Sequence, residues 1–424
     1  MKSLSPSQLF HKYQADVWLI FSLILFTGFT SFAAAQLVNP IVFNVIDIWF
    51  DADINESFYR MTDPTSTHAK YFNHPLYPLF VFLPILIIIT IFHLEPIIGV
   101  RAFVSVVSGL VIGTIFILFR LLGYHKIDAA IFSILTAITA GARFWFVIPE
   151  VFLFGGETIL LVYCIVTVAG YRQLSPYWYM AANVLAVSIT ITNLIAGIIA
   201  TISGNRWKQC LKIFAGAFFI FILLLIFQKF FFPTAPLKVL FTNTGTAEQT
   251  KFLYRPSNIY MFLERYSAFL FHSIVMPSIE IINNPWTTSG GQVLSIHASH
   301  LGSGGWWGKV ATVTWGGLLA LGLYALFSVK EHLRLRFTLG FTLLGQLLLH
   351  TIHGFEIFLY SLHYVPSLVI LVSLGVLTKM RPLVLGLALI LVVTAGINNA
   401  LQFSHAIDIL QNAQIIDPRK VLLR

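Results

Sequence analysis

Long apolar runs alternate with short polar turns along almost the whole chain. Most of these runs approach the ~20 residues that an α-helix needs to cross the hydrocarbon core of a bilayer. The pattern therefore predicts an all-α fold, a polytopic bundle of transmembrane helices with short helices in its outer loops. The clear runs cover 17–38, 97–119, 127–142, 157–170, 213–232, 308–329, 337–353, 356–378 and 382–402.

Two further apolar segments fit the pattern less well. The segment "LYPLFVFLPILIIITIFH" (76–93) contains Pro78 and Pro84, and proline interrupts the hydrogen bonds of a helix. The segment "YWYMAANVLAVSITITNLIAGIIATISG" (177–204) is long for one span and short for two. The hydrophobic pattern alone does not assign either segment.

The distribution of Lys and Arg decides between the topologies, because short basic turns face the cytoplasm. All basic turns share one side only if 76–93 does not cross the membrane and 177–204 crosses twice, turning near Thr192–Asn193. This arrangement gives about eleven spans and an outside C-terminus, and it is favoured. In the rival, 76–93 crosses and 177–204 is one span, which leaves Arg120, Lys126 and Arg172 outside. The basic residues are Lys2, Lys12, Arg120, Lys126, Arg172, Arg206, Lys208, Lys212, Lys330, Arg334, Arg336, Lys379 and Arg381.

Composition agrees with a multi-pass protein of the inner or plasma membrane. The 424 residues are 57% hydrophobic and only 10% charged, and the mean hydropathy is +0.83. The net charge of +9 is loop charge that sets orientation, so no nucleic-acid partner is expected. Cys164 lies in an apolar run and Cys210 in a basic turn, which makes a disulfide framework improbable.

The favoured topology divides the chain into three parts. Residues 1–232 form an N-terminal transmembrane core, and its first outer loop (39–75) is the expected catalytic segment. Residues 233–307 form a long loop on the outer face, and residues 308–424 supply the C-terminal transmembrane helices and a tail. The segment 143–156 is a second, shorter outer piece.

Acidic residues concentrate in the first outer loop, in "FDADINESFYRMTDPTSTHAKYFNHPLYP" (50–78). The chain has only 17 acids, yet Asp51, Asp53, Glu56 and Asp63 lie close together here. The first two follow a span directly and therefore lie at the bilayer surface. Their two-residue offset would put both on one side of an extended segment. A carboxylate at that place can take a proton from an attacking hydroxyl or amine.

Span interiors are almost free of ionisable residues, which argues against an ion-coupled carrier and places the chemistry at a membrane boundary. A lipid-linked substrate presents its head group there. The alternatives are a transporter or flippase of a lipid-linked precursor, which needs a polar path through several spans, and a membrane scaffold. Groups that could hold a phosphate through charge or hydrogen bonds are His68, Lys70, His74 and Arg143.

A second candidate group lies in "EIFLYSLHYVP" (356–366). Glu356, Tyr360 and His363 are about one helical turn apart, so one helix face would carry all three. They would either contact phosphate or sugar or form a polar patch between helices. The sequence is compatible with a divalent metal at the first loop, through His68, His74 and the two aspartates, but does not require one.

An N-terminal span, a long acidic outer loop, "HPLYPLF", a short apolar segment and a span that ends in basic residues follow one another over residues 1–232. This order resembles the GT-C superfamily of membrane glycosyltransferases, which includes protein mannosyltransferases, the aminoarabinose transferase of lipid A and the oligosaccharyltransferase catalytic subunit. The resemblance implies that Asp53, or else Asp51, is the base or a metal ligand. It also implies that Glu150 in "RFWFVIPE" orients the acceptor or a metal, and that 76–93 is a short non-crossing element.

The activity implied by the resemblance is transfer of a sugar from a polyprenyl-phosphate-linked donor. The acceptor would be a glycan, a lipid or a protein on the extracytoplasmic face. The chain departs from the oligosaccharyltransferase pattern, because the second outer loop lacks a paired "DxD" or "DxE" and no large soluble C-terminal domain follows. Metal dependence and peptide acceptors are therefore not supported by these motifs.

Overall fold

The computed structural model describes residues 6–44, 47–66, 73–233, 253, 256–283 and 291–412. Within them the chain forms 15 α-helices and one two-stranded sheet. The helices are α1 (Pro6–Leu37), α2 (Ile54–Thr62), α3 (Tyr77–Phe92), α4 (Pro96–Leu121), α5 (Lys126–Ile138), α6 (Ala140–Trp145), α7 (Val151–Tyr171), α8 (Pro176–Ile189), α9 (Leu194–Gly204), α10 (Trp207–Phe231), α11 (Ile259–Ser267), α12 (Trp306–Ser328), α13 (Leu333–Ile352), α14 (Ser361–Ser373) and α15 (Arg381–Asn412).

Shorter elements complete the described chain. Strand β1 (Glu280–Asn283) pairs antiparallel with β2 (Gln292–Ser295), within the predicted loop 233–307. 3₁₀ turns occupy Pro40–Phe43, Ile191–Asn193, Ile357–Tyr360 and Leu374–Leu377, and a wider π-helical turn occupies Ala268–His272.

Eight helices are long and apolar enough to cross a membrane. They are α1, α4, α7, α10, α12, α13, α14 with its flanking turns, and α15. The predicted fold class, a polytopic transmembrane helix bundle, is confirmed. The count of about eleven spans remains a prediction that depends on the shorter helices α5, α8 and α9.

One predicted span is interrupted. The run 127–142 divides into α5 and α6 at Thr139, whose hydroxyl donates to the Thr136 carbonyl and accepts from the Ala142 amide. The amides of Ala140 and Gly141 donate to carbonyls after α11 at 3.0 and 2.8 Å. These bonds to a distant segment replace helical ones, so the hydrophobic pattern could not reveal the break.

Ion pairs and hydrogen bonds join the polar turns at one end of the bundle, here called the basic end. Arg120 of α4 pairs with Asp16 of α1 at 2.9 Å, and Arg381 of α15 pairs with Asp128 of α5 at 2.9 Å. Lys2 and the side chain of Lys12 lie outside the described residues. Hydrogen bonds that bring further turns to this end run from Tyr171 to Leu121 and from Arg334 to Ala169.

The opposite end, here called the loop end, carries the first outer loop. Helix α3 begins at this end. Its first residue, Tyr77, lies near the start of α7, since Glu150 acts electrostatically on it. Helix α4 also begins at the loop end, where Arg101 donates to the carbonyl of Val38 after α1 at 2.8 Å. Since α3 and α4 are joined by only a short turn at 93–95, both ends of α3 lie at the loop end.

Helices α8 and α9 form an antiparallel hairpin. The amide of Asn183 in α8 donates to the hydroxyl of Thr201 in α9 at 2.7 Å. The hairpin turns over Ile191–Asn193, where the Asn193 amide donates to the Gly155 carbonyl near the start of α7 at 3.1 Å. The turn is thus at the predicted place and near the loop end.

Helices α7 and α14 form the centre of the bundle and pack directly against each other. A side chain at Gly156 of α7 would collide with the backbone carbonyl of Leu362, so the helices approach closely at this glycine. Because α7 is buried along its length, the residue that precedes it, Glu150, is fixed at the loop end.

Candidate active site

Two buried aromatic side chains fasten the first outer loop to the bundle. Trp49 and Phe50 are fully buried, and their rings meet Phe144 at 5.8 and 5.5 Å between centroids. Phe50 also packs against Phe358 at 5.2 Å. The backbone is left-handed at Phe50 (φ 50°) and at Asp51 (φ 62°), a conformation that persists only where surrounding packing imposes it. The loop therefore has a defined shape where the acids begin.

The aspartates of this loop face a common side chain. Asp51 and Asp53 are half-buried, and Ala52 between them is buried. Both carboxylates act electrostatically on the hydroxyl of Tyr360. The segment is not extended as expected, since Asp51 is left-handed and α2 begins directly after Asp53. Tertiary packing rather than strand alternation brings the two acids together.

Glu150 joins this group from the second outer piece. It precedes α7 and its carboxylate accepts the backbone amide of Val151 at 2.9 Å, which orients it at the helix N-terminus. Its side chain is only 3% exposed. Glu150 acts electrostatically on both Tyr360 and Tyr77. Three predicted site acids therefore act electrostatically on one tyrosine.

Two predicted histidines meet beside the same tyrosine. The Thr190 hydroxyl lies 3.5 Å from Nδ1 of His74 and 3.4 Å from Nε2 of His363. The ring of Phe152 packs against His363 and Tyr360, each at 5.0 Å between centroids, and against His74 at 6.3 Å. Phe152 is therefore the hydrophobic centre of a wall with three hydrogen-bonding side chains.

The segment "NHPLYP" (73–78) carries His74 and is held by backbone contacts. The Leu76 amide donates to the Ser188 carbonyl at the end of α8 at 2.8 Å. The side-chain amide of Gln228 in α10 donates to the Pro75 carbonyl at 2.7 Å. These bonds fix the entry of α3 and the place of the imidazole.

Arg265 of α11 supplies a buried positive charge that the sequence did not single out. Its guanidinium donates to the carbonyls of His350, His353 and Gly354 at 2.6, 3.0 and 2.7 Å. Arg265 acts electrostatically on Tyr360, whose ring stacks on His350 at 4.5 Å. Burial, together with this guanidinium, lowers the pKa of His353. Imidazole rings next to Arg265 are thus disfavoured as cations.

Glu356 faces away from its predicted companions. A 3₁₀ turn separates it from α14, and its carboxylate accepts the Ser295 hydroxyl at 2.7 Å and the Ile296 amide at 3.1 Å. Tyr360 and His363 contact Phe152 instead, so the expected single helix face does not form. Burial raises the pKa of Glu356. Its described contacts fasten strand β2 to the bundle.

The remaining predicted residues are not joined to this group by described contacts. The guanidinium of Arg143 stacks on the ring of Phe403 at 4.8 Å. His68 and Lys70 lie outside the described residues. Within the described part of the chain, no three His, Cys, Asp or Glu side chains are grouped to hold a metal ion.

Some of these residues could not be found from spacing alone. Arg265 lies in "IYMFLERYS", where nothing in the local pattern marks a buried arginine. The stretch "HTIHGFE" carries a better local signal, because two histidines precede a glycine between two apolar runs. Gly354 has φ 77°, and any side chain there would collide with the Tyr360 ring.

The structure was compared with known proteins. The crystal structure of ArnT from Cupriavidus metallidurans bound to undecaprenyl phosphate is similar to this chain with a TM-score of 0.56 and 11% sequence identity. The similarity covers 93% of this chain and 78% of that one. At this identity the likeness bears on the fold alone, and at that level it confirms the predicted resemblance. No protein-family model and no curated protein matches the sequence.

Proposed function

We propose that this multi-pass membrane protein with an ArnT-like fold is a glycosyltransferase. It moves a sugar from a polyprenyl-phosphate-linked donor to an acceptor on the extracytoplasmic face. The observation that carries the proposal is that the two acid-bearing segments meet at the turn that holds Tyr360. Phe50, next to Asp51, packs against Phe358 at 5.2 Å, and Phe152, two residues after Glu150, packs against Tyr360 at 5.0 Å between centroids. The crystal structure of ArnT, which shares the fold, contains undecaprenyl phosphate.

Asp53 is the proposed general base, and Asp51 assists it. In the reaction Asp53 takes the proton of an acceptor hydroxyl or amine, and the acceptor atom forms a bond to the anomeric carbon of the sugar. The bond from that carbon to the phosphate oxygen breaks, and the electron pair stays on the lipid phosphate. A phosphate is a good leaving group, so this displacement needs no covalent enzyme intermediate. Glu150 orients the acceptor through its buried carboxylate.

The phosphate side is assigned to the hydrogen-bonding wall around Phe152. His363 and Tyr360 offer N–H and O–H donors that can bond to phosphate oxygens as charge develops. His74 donates from Nδ1 to the Ile189 carbonyl at 2.9 Å, which leaves its Nε2 as the atom for a phosphate contact. His68 and Lys70 belong to the same loop as His74 and are further phosphate-side candidates. Arg143 and Glu356 support the site walls through Phe403 and Ser295 rather than touching substrate.

Replacing the two aspartates by asparagine tests the proposal. Asparagine keeps the shape of the side chain and tolerates the left-handed backbone of Asp51, so the variants isolate the charge. We expect Asp53→Asn to lower turnover with a polyprenyl-phosphate sugar by roughly 10²- to 10⁴-fold. Asp51→Asn should lower turnover less. The measurement is sugar transfer by purified protein in detergent or vesicles.

The matched control is Glu280→Gln, which neutralises an exposed carboxylate on β1. It should retain full turnover, because nothing in the proposal involves that strand edge. Full turnover in both aspartate variants would remove the proposed base and with it this assignment of the first outer loop.

A further inference from the structure

The buried face of α2 carries two polar side chains directly behind the catalytic aspartates. Ser57 is 1% exposed and Arg60 is 2% exposed. The two are three residues apart and therefore share one helix face. A short amphipathic helix normally buries apolar side chains on this face, as Ile54 and Met61 do. Burial of an arginine and a serine there requires a polar environment.

Neighbouring elements provide only part of that environment. Arg60 forms an ion pair with Glu56 on its own helix through one terminal nitrogen. Its Nε, the Ser57 hydroxyl and the hydroxyl of fully buried Tyr77 have no hydrogen-bond partner among the described residues. Buried polar groups are almost always bonded, so several such groups in one place indicate a missing partner.

These groups adjoin the site already described. Helix α2 packs against α3, whose first residue is Tyr77, and the Tyr77 ring packs against Phe154 of α7 at 5.7 Å between centroids. Arg60 and Glu150 both act electrostatically on Tyr77, and Glu150 also acts on Tyr360. The Glu150 carboxylate thus acts on two groups of polar side chains. One contains Tyr360 and the two aspartates, and the other contains Tyr77, Arg60 and Ser57.

The chemistry of the second group defines what it can bind. A guanidinium N–H, a phenol and an alcohol can all donate hydrogen bonds, and one of them carries a positive charge. The complement is a negatively charged group with several acceptor oxygens, and phosphate fits that description best. A bound water could satisfy single hydroxyls, whereas a phosphate can accept hydrogen bonds from the Arg60 Nε, the phenol and the alcohol together.

We propose that Arg60, Tyr77 and Ser57 form an oxyanion subsite that binds a phosphate group. That this phosphate is the head group of the polyprenyl carrier rests on the proposed function. The subsite adds the guanidinium of Arg60, which is also paired with Glu56, to the hydrogen-bonding wall around Phe152. The site then holds the phosphate between α2 and α3 while the aspartates face the acceptor.

Tyr77→Phe is the central test, because it removes one hydroxyl and keeps the ring. In the absence of ligand we expect its melting temperature to equal or exceed that of wild type, since an unpartnered buried hydroxyl is lost. Affinity for polyprenyl phosphate, measured by ligand-induced thermal stabilisation in detergent, should fall by about tenfold or more. Ser57→Ala should weaken binding less, and Arg60→Gln more.

Tyr163→Phe is the matched control in α7. Its hydroxyl lies 2.9 Å from that of Ser367, so the variant should lower the melting temperature and leave affinity unchanged. Uncharged polyprenol is the ligand control, and it should bind wild type and Tyr77→Phe equally. A Tyr77→Phe protein that melts lower and binds polyprenyl phosphate as tightly as wild type would show a purely structural hydroxyl and overturn the subsite.

Inorganic phosphate separates this inference from the proposed function. If wild type is stabilised by inorganic phosphate, and Tyr77→Phe less so, the subsite stands even when polyprenyl phosphate does not bind and the lipid assignment fails. If wild type binds polyprenyl phosphate and neither Tyr77→Phe nor Arg60→Gln weakens it, the subsite is wrong and the transferase proposal survives. Binding of neither ligand to wild type would refute the subsite.

Discussion

Single residues at the loop end are held in conformations that their type would not select alone. Phe50 and Asp51 have positive φ angles, and the packing of Phe50 between Phe144 and Phe358 imposes them. Aspartate tolerates this region better than most residues, whereas phenylalanine does not. Such strain persists at functional positions because surrounding contacts stabilise it, and here it aims a carboxylate at Tyr360.

Glu356 gives a prediction at the same scale. Burial raises its pKa above the unfolded value, so the folded chain binds the proton more tightly than the unfolded chain does. The contribution of Glu356 to the free energy of unfolding is therefore fully present at acidic pH and is lost as pH rises through the pKa of the folded state. Relative to Glu356→Gln, which cannot titrate, the melting temperature of wild type should fall as pH rises above the ordinary carboxyl pKa of about 4.

The control for this pH series is Ser295→Ala. It removes the hydroxyl that donates to Glu356 and should lower stability, but it retains the titrating carboxyl and hence the fall with pH. A wild-type protein that gains stability over Glu356→Gln as pH rises would contradict the argument, since that sign requires a lowered pKa.

Among the elements, α7 connects the site with the core. Its N-terminus carries Glu150 and Phe152, and its glycines admit α14 at close range. A side chain at Gly155 would meet the imidazole of His363, and one at Gly156 would meet the Leu362 carbonyl. The helix can therefore present an acid at the loop end only while its small residues keep α14 in contact.

The close approach predicts opposite effects for two alanine substitutions in α7. Gly156→Ala places a methyl group against backbone and should destabilise the protein by about 1–3 kcal/mol. Gly170→Ala meets nothing within 4 Å and should stabilise it by up to about 1 kcal/mol through helix propensity. Unfolding in detergent followed by circular dichroism measures both. Equal changes in the free energy of unfolding for the two variants would show that α7 and α14 can move apart at little cost.

The whole molecule is organised by its two ends. Basic turns meet at one end through pairs such as Arg120 with Asp16, and the acidic loop lies at the other. Helix α3 starts and ends at the loop end, although it is as apolar as a membrane span. With 16 residues it is about 24 Å long, shorter than the bilayer core, which agrees with a non-crossing element.

Cysteine labelling tests this topology in a variant with Cys164 and Cys210 replaced by alanine. Single cysteines are introduced at Thr65, Glu95 and Lys126, which are all exposed. If α3 does not cross, an impermeant thiol reagent reaches positions 65 and 95 from the same side and position 126 from the opposite side. Labelling of 65 and 95 from opposite sides would establish a crossing α3 and the rival topology.

Much of the fold was predictable because its signals are local. Apolar runs near the length of a bilayer and basic turns between them specify spans and their ends without any tertiary contact. The prolines of 76–93 were a poorer guide, because Pro84 lies inside the continuous helix α3. The break of 127–142 at Thr139 was not predictable, because amides beyond it bond to carbonyls more than a hundred residues away. The hairpin turn at Ile191–Asn193 was predicted from the distribution of Lys and Arg over all the polar turns, which is a property of the whole chain.

The candidate site was likewise predictable from the sequence only in part. The sequence by itself determined that acids lie at a membrane boundary, because hydrophobicity and charge act residue by residue along the chain. Only the tertiary structure decided that Phe50, beside the aspartates, packs on Phe358 near Tyr360, that His74 and His363 share Thr190, and that α2 packs against α3. These partners come from distant segments, and their meeting depends on how whole helices pack rather than on any spacing within one of them.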